Sequence, residues 1–156
     1  MENRNFISAV ENARIIFRNF SGEERMYNKK GDRNFTLVLT PEKAEELRNL
    51  GYNVKTRPPR EEGDENQYLL AVSVSYKIRP PKIVLINGKT KIDLSEDTVG
   101  ELDYTDIEYI DLTIRPYHWE LQDGRTGVKA YLNSMYVTAV EDQFADKYAD
   151  DEEAPF

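Results

Sequence analysis

Alternating apolar and polar positions dominate the chain and predict a protein built from short strands. Residues 13–20 place Ala13, Ile15 and Phe17 on one side and Arg14, Ile16, Arg18 and Phe20 on the other, the period of two that sends successive side chains to opposite faces of a sheet. Residues 33–40 read as a second strand from their β-branched and aromatic content, and residues 52–57 as a short one. Residues 68–77 give a half-buried strand with Leu70, Val72 and Val74 facing the core and Tyr68 and Tyr76 at its edge. Two hairpins follow. Residues 82–86 and 89–92 flank Asn87-Gly88, both predicted to take positive φ in the turn, and residues 107–121 and 126–140 flank Asp123-Gly124-Arg125. Helix is confined to residues 41–50, with Thr40 as N-cap and Pro41 in the first position, and to a turn within residues 95–102. Residues 21–32 and 58–67 are polar loops, and no internal repeat is visible. Many short strands with little helix predict a mainly β barrel or sandwich.

Charge changes this picture at one end. The chain of 156 residues has a formal net charge of -8, but residues 141–156 hold seven acids and one base and so carry -6 of it. The acidity therefore does not exclude nucleic-acid binding by the first 140 residues, which are close to neutral and hold 20 bases. The organisation expected is a binding domain over residues 1–140 and a flexible acidic tail over residues 141–156. The absence of cysteine excludes thiolate metal sites and a thiol nucleophile. No apolar run approaches the roughly 18 residues of a membrane span, so a cytoplasmic protein without membrane contact is expected.

Candidate chemistry lies on the last hairpin. If Ile110, Leu112 and Ile114 point inward, then Tyr109, Asp111, Thr113, Arg115, Tyr117 and Trp119 point outward. On the partner strand Val128, Ala130 and Leu132 point inward and Lys129, Tyr131 and Asn133 outward. Arginine interleaved with tyrosine and tryptophan suits single-stranded nucleic acid, since every base offers a face to stack on and every phosphate needs a cation. The first strand is expected to add Arg14, Arg18 and Phe20, with Lys29, Lys30 and Arg33 extending the path. Aromatic residues on neighbouring strands also pair simply to stabilise a sheet.

Catalysis finds little support. His118 is the sole histidine and reads as a boundary residue of its strand, leaving no zinc site or thiol dyad. Asp103, Asp106 and Asp111 are acids in a loop and at a strand start, with nothing to fix a metal geometry. Phosphate-binding glycine loops, nucleophile elbows and dinucleotide fingerprints are missing. A non-enzymatic protein without a cofactor is expected.

The chain ends Asp150-Asp151-Glu152-Glu153-Ala154-Pro155-Phe156. Acidic runs usually only solubilise, but a terminal aromatic beside a free carboxylate suits capture in a basic pocket of another protein. An aromatic and basic β domain followed by an acidic tail ending in Pro-Phe resembles the single-stranded-DNA-binding proteins of bacteria and their phages. Residues 114–119 (IRPYHW) and 127–137 (GVKAYLNSMYV) resemble the last hairpin of the phage-type group. The resemblance implies a five-stranded Greek-key OB barrel with one or two short helical inserts. It further implies single-stranded DNA as ligand, a role in replication or recombination in a bacterial or phage-infected cell, and replication proteins recruited through Asp150, Asp151, Glu152, Glu153, Pro155 and Phe156. Inserts at residues 41–51 and 58–67 and the short tail depart from the bacterial housekeeping proteins, so a monomer or homodimer is expected rather than their tetramer. Two other readings stand beside this one: a β-sandwich interaction module that binds a host enzyme, and an OB domain for single-stranded RNA.

Overall fold

The computed structural model describes residues 7–141 apart from 27 and 78. Within them the order is β1 (Ser8–Val10), β2 (Arg14–Asn19), β3 (Arg33–Leu39), α1 (Pro41–Asn49), β4 (Lys55–Arg57), β5 (Gln67–Val74), β6 (Lys82–Asn87), β7 (Thr90–Leu94), β8 (Ile107–Glu120) and β9 (Thr126–Ala139). A 3-10 turn, Val99–Asp103, joins β7 to β8.

Five of these strands make a barrel. β2 pairs antiparallel with β3, and β3 with β5 along its whole length, from Arg33↔Val74 to Leu39↔Tyr68. β5 then runs parallel to β9 at Val72↔Ala130 and Ser73↔Tyr131, and β9 pairs antiparallel with β8. The ring closes where Ala13 N–H donates to the Ile110 carbonyl at 2.6 Å. One parallel contact in an otherwise antiparallel five-strand order, whose ends meet through a single backbone bond and not a ladder, is the partly open OB arrangement, so the expected mainly β, OB-like class is observed, in one sheet of nine strands where five were expected. Four further strands join the sheet: β4, β6 and β7 were expected from their patterns, and β1 was not. β1 lies along β8, β4 along β5, and the β6–β7 hairpin extends the sheet because β6 runs parallel to the second half of β9, from Lys82↔Ser134 to Ile86↔Thr138.

Side chains from the barrel strands meet in one core that includes Phe20, Phe35, Leu37, Val72, Ile110, Ile114, Leu132 and Met135, with Leu102 of the 3-10 turn and Leu47 of α1 closing on it. Helix α1 forms as its sequence predicts: Thr40 Oγ1 accepts from Lys43 N–H at 3.2 Å, Pro41 starts the first turn, and Ala44 and Leu47 are the buried face.

Two of the three register shifts reset which residues of β9 and β2 face the core. In β9, Ile114 pairs with Leu132 but Thr113 pairs with Ser134, so Asn133 is the extra residue and the inward set shifts from Ala130 and Leu132 to Met135, Val137 and Ala139. In β2 the register slips between Ile16↔Thr36 and Asn19↔Asn34, and Phe17 sits at φ 53°. This kink reverses the alternation expected for residues 13–20. Phe17 turns outward and is 63% exposed, while Phe20 is fully buried with its ring stacked on Phe35 at 5.4 Å between centroids.

The bulge is held from outside the strand. Asp103 accepts from the Phe20 and Ser21 N–H groups at 2.7 and 3.0 Å. Arg18 Nη1 donates in return to the carbonyls of Leu102 and Thr105 at 2.7 and 2.8 Å. The first hairpin also differs by one residue: Asn87 pairs with Thr90, so Gly88 and Lys89 form the turn, and only Gly88 takes positive φ.

Candidate nucleic-acid interface

The alternation of β8 and β9 before the β9 bulge places six side-chain positions on one outward face as three cross-strand pairs: Arg115↔Tyr131, Tyr117↔Lys129 and Trp119↔Gly127. In the first two, a cation stands opposite a tyrosine. The Tyr131 ring is the centre of the set, with the Arg115 guanidinium 5.0 Å and the Lys129 ammonium 5.1 Å from its centroid and Tyr117 edge-on to it at 5.9 Å. Cations at these distances are held by the ring's quadrupole while keeping hydrogen-bond donors for another ligand. Tyr117 is 53% exposed and Tyr131 half-buried, so the faces remain reachable.

At the third pair the glycine has a positional meaning. A Cβ on Gly127 would lie closer than 3.0 Å to three atoms of the Trp119 indole. Only glycine lets the indole lie down across β9.

Two depressions flank this ladder. A groove of about 730 Å³ is lined by Phe17 of β2, Thr36 of β3, Ala71 of β5, Lys129 of β9 and Trp119 of β8, so every barrel strand contributes. Thr36 and Ala71 are paired across the strands and make a floor of small residues between aromatic walls. On the other side a hollow of about 410 Å³ is lined by Ser75, Arg79, Arg115, Tyr117 and Tyr131. Burial, and then the like charge of Arg79, pull the Arg115 guanidinium below its ordinary value, and Tyr131 opposes them. Arg115 remains a cation at neutral pH. Its Nε is buried without a hydrogen-bond partner, and among the described residues no carboxylate pairs with Arg115 or Arg79. Two adjacent cations without an acid form a site with positive potential for an anion.

The expected site residues divide into those the fold gathers and those it separates. Arg115, Tyr117, Trp119, Lys129 and Tyr131 form the ladder. Phe20 cannot offer a stacking face, because the β2 bulge sends its ring into the core. Arg18 is half-buried and its guanidinium is spent on the two carbonyls that anchor the 3-10 turn. Arg14 is exposed but lines a separate hollow with Glu108 and Tyr109. Arg33 is engaged by Glu96 at 3.3 Å and lies over Tyr76 at 5.7 Å. Lys29 and Lys30 are exposed on the loop between β2 and β3, and Lys29 lines a depression with Glu24 and Arg25 rather than the groove. Residues Asp150, Asp151, Glu152, Glu153, Pro155 and Phe156 lie outside the described residues.

Phe17 and Arg79 escaped the sequence reading. The signal for Phe17 was present, since Ile15-Ile16-Phe17 followed by Phe20 breaks strict alternation, the pattern of a bulge. No signal marked Arg79, which reaches Arg115 only through the fold: Arg115 Nη2 donates to its carbonyl at 3.5 Å.

Two of the acids considered for metal binding, Asp103 and Asp111, have structural partners. Among the described residues no group of three or more His, Asp or Glu is placed to hold a metal. Asp103 binds the β2 bulge, and Asp111 accepts from Asn12 N–H at 2.8 Å. The Tyr52 hydroxyl is buried without a partner, and burial pushes its pKa up to about 12. No described helix is long and apolar enough to cross a membrane.

Comparison with known proteins agrees with this fold. The single-stranded DNA-binding protein of bacteriophage Enc34 superposes with a TM-score of 0.54 at 13% identity, covering 91% of this chain and 89% of that one. Its C-terminally truncated form gives 0.54 at 12% identity over 87% of each. At such identity the likeness establishes the fold. No curated protein sequence matches the chain. A sequence profile described as "Putative phage ssDNA-binding domain" matches residues 3–155, and with nearly the whole chain matched, the protein belongs to the phage single-stranded-DNA-binding domain family.

Proposed function

We propose that the domain binds single-stranded DNA with little sequence preference and protects it during phage replication or recombination. The observation that carries this reading is the ladder itself, in which Arg115 and Lys129 flank the Tyr131 ring beside Tyr117 and Trp119. Bases stack on Tyr117, Trp119 and Tyr131, and on Phe17 at the far wall of the groove, while phosphates meet Arg115, Lys129 and Arg79. A groove walled by aromatics and floored by Thr36 and Ala71 admits separate bases. A duplex hides their faces and leaves only its backbone to contact. Stacking needs no base-edge readout, so the preference among sequences is weak.

The acidic tail belongs to the same proposal. Asp150, Asp151, Glu152 and Glu153 repel DNA, and Pro155-Phe156 recruits replication proteins of the infected cell. Removal of Phe156 alone leaves DNA affinity unchanged and abolishes capture of those proteins. Equal capture by the shortened chain reduces the tail to a solubilising run.

The test of the domain's function is a comparison of oligo-dT, duplex DNA and the matching RNA by fluorescence anisotropy, with Trp119 emission followed in parallel. Tight binding of oligo-dT with quenching of Trp119, and weak binding of duplex, is expected. Equal affinity for duplex, or saturation without any change in emission, overturns the assignment. Preference for RNA transfers the site to the other nucleic acid.

A further inference from the structure

Edges of a sheet present unpaired N–H and C=O groups, and proteins that stay apart cover them. Side chains of α1 reach two of the other edge strands. Lys43 Nζ donates to the Ala9 carbonyl of β1 at 3.2 Å. Arg48 donates to the Val54 carbonyl at 3.1 and 3.3 Å and to Thr56 Oγ1 at 2.7 Å, beside β4. β7 is different: among the described residues it pairs only with β6, and four of its five residues are exposed.

The register fixes what this edge offers. Asn87 and Thr90 close the two-residue turn, and such a pair exchanges both of its hydrogen bonds. The alternation of an antiparallel ladder then leaves the N–H and C=O of Lys91 and Asp93 directed away from β6. These two residues are one step either side of Ile92, which is 42% exposed on the opposite face.

We propose that β7 is a self-pairing edge, on which a second copy of this chain docks antiparallel about a two-fold axis through Ile92. The strand reads Thr90-Lys91-Ile92-Asp93-Leu94 and is complementary to itself under that operation. Lys91 meets Asp93 of the second copy and Asp93 meets its Lys91, so each open N–H finds a C=O and each cation an anion on the same face. Ile92 packs against the other Ile92 on the reverse face. A two-fold contact of this kind is satisfied by two copies. It lies at the end of the sheet remote from the groove, so both copies keep an open binding face.

The contact is small and its dimer correspondingly weak. Sedimentation velocity on the full chain without DNA, from about 10 μM to about 1 mM, is expected to show monomer passing to dimer within that range. Lys91→Asp and Asp93→Lys each replace two attractive contacts by two repulsive ones and are expected to weaken the dimer about tenfold. Mixing the two variants restores complementarity, and the mixture is expected to dimerise as the wild type does. Circular dichroism and oligo-dT affinity of the separated monomers stay unchanged, which separates this surface from the DNA site. Wild-type chain that remains monomeric throughout, single variants that dimerise as well as wild type, or a mixture that stays monomeric overturns the proposal.

Discussion

Exchanging the roles of two phenylalanines three residues apart gives the sharpest test of the β2 bulge. Phe17 is 63% exposed at φ 53°. Full burial of a phenylalanine stabilises by about 1.5–3 kcal/mol, so the small buried fraction of Phe17 contributes under about 1 kcal/mol. A non-glycine residue in the left-handed region costs about 1–2 kcal/mol. Phe17→Gly removes both terms, and glycine's extra unfolded-state freedom adds a penalty of about 0.5–1 kcal/mol. The contributions nearly cancel, so stability in a urea melt is expected to change by less than about 1 kcal/mol. Loss of a stacking wall should cost about 1–3 kcal/mol of oligo-dT binding, or about 5- to 150-fold in affinity. Phe20→Ala should do the reverse. Its ring is fully buried against Phe35, and deletion should cost about 3–5 kcal/mol, a large part of a domain's total stability. Any folded Phe20→Ala protein should bind DNA normally. A stable Phe20→Ala protein with weakened binding, beside a Phe17→Gly protein with none, would refute the reasoning.

Arg115→Ala and Lys129→Ala should each lower the slope of log affinity against log salt by about one phosphate's worth, whereas Tyr131→Ala should weaken binding at every salt concentration with the slope intact; titrations from low to high salt decide it. Gly127→Ala should displace the indole of Trp119 and shift its emission in the free protein, while unchanged fluorescence would place Trp119 elsewhere. Tyr52 holds its proton more tightly folded than unfolded, its pKa rising from 10.0 to about 12. The stability this provides is complete below pH 10 and is lost as pH climbs through the folded value, by about 2–3 kcal/mol in all. Denaturant melts of Tyr52→Phe should lack that alkaline decline. Deleting residues 150–156 removes four acids and should tighten DNA binding most at low ionic strength, where screening is weakest; equal affinities at low salt would exclude repulsion by the tail.

What the sequence disclosed depended on whether the determining contact was local. Helix α1 was legible because its cap, its first-turn proline and its apolar face lie within ten residues. The last hairpin was legible because its alternation holds until Leu132, and the ladder of Arg115, Tyr117, Trp119, Lys129 and Tyr131 follows from that phase alone. Phe20 was misplaced because its orientation is decided by Asp103, which binds its N–H from 83 positions away. Arg18 was misplaced for the same reason, since the carbonyls it serves lie in and just after the 3-10 turn, more than 80 positions away. Arg79 came beside Arg115, and Phe17 to the wall of the groove, only once strands far apart in sequence were brought side by side.

Closure of the barrel also sets the order in which the chain becomes a protein. The bond that shuts the ring joins Ala13 to Ile110, and the parallel seam joins Val72 to Ala130. On a ribosome, β2, β3 and β5 therefore emerge well before β8 and β9, the strands that close the ring over them. Contacts this distant in sequence make folding slow, since the entropy of a long loop is lost before the strand pairing rewards it. The β8–β9 hairpin, whose turn is local, is positioned to form first among the late elements and to act as the template on which the earlier strands assemble. Shortening the loop at residues 58–66 should accordingly quicken refolding far less than strengthening the turn at Asp123-Gly124.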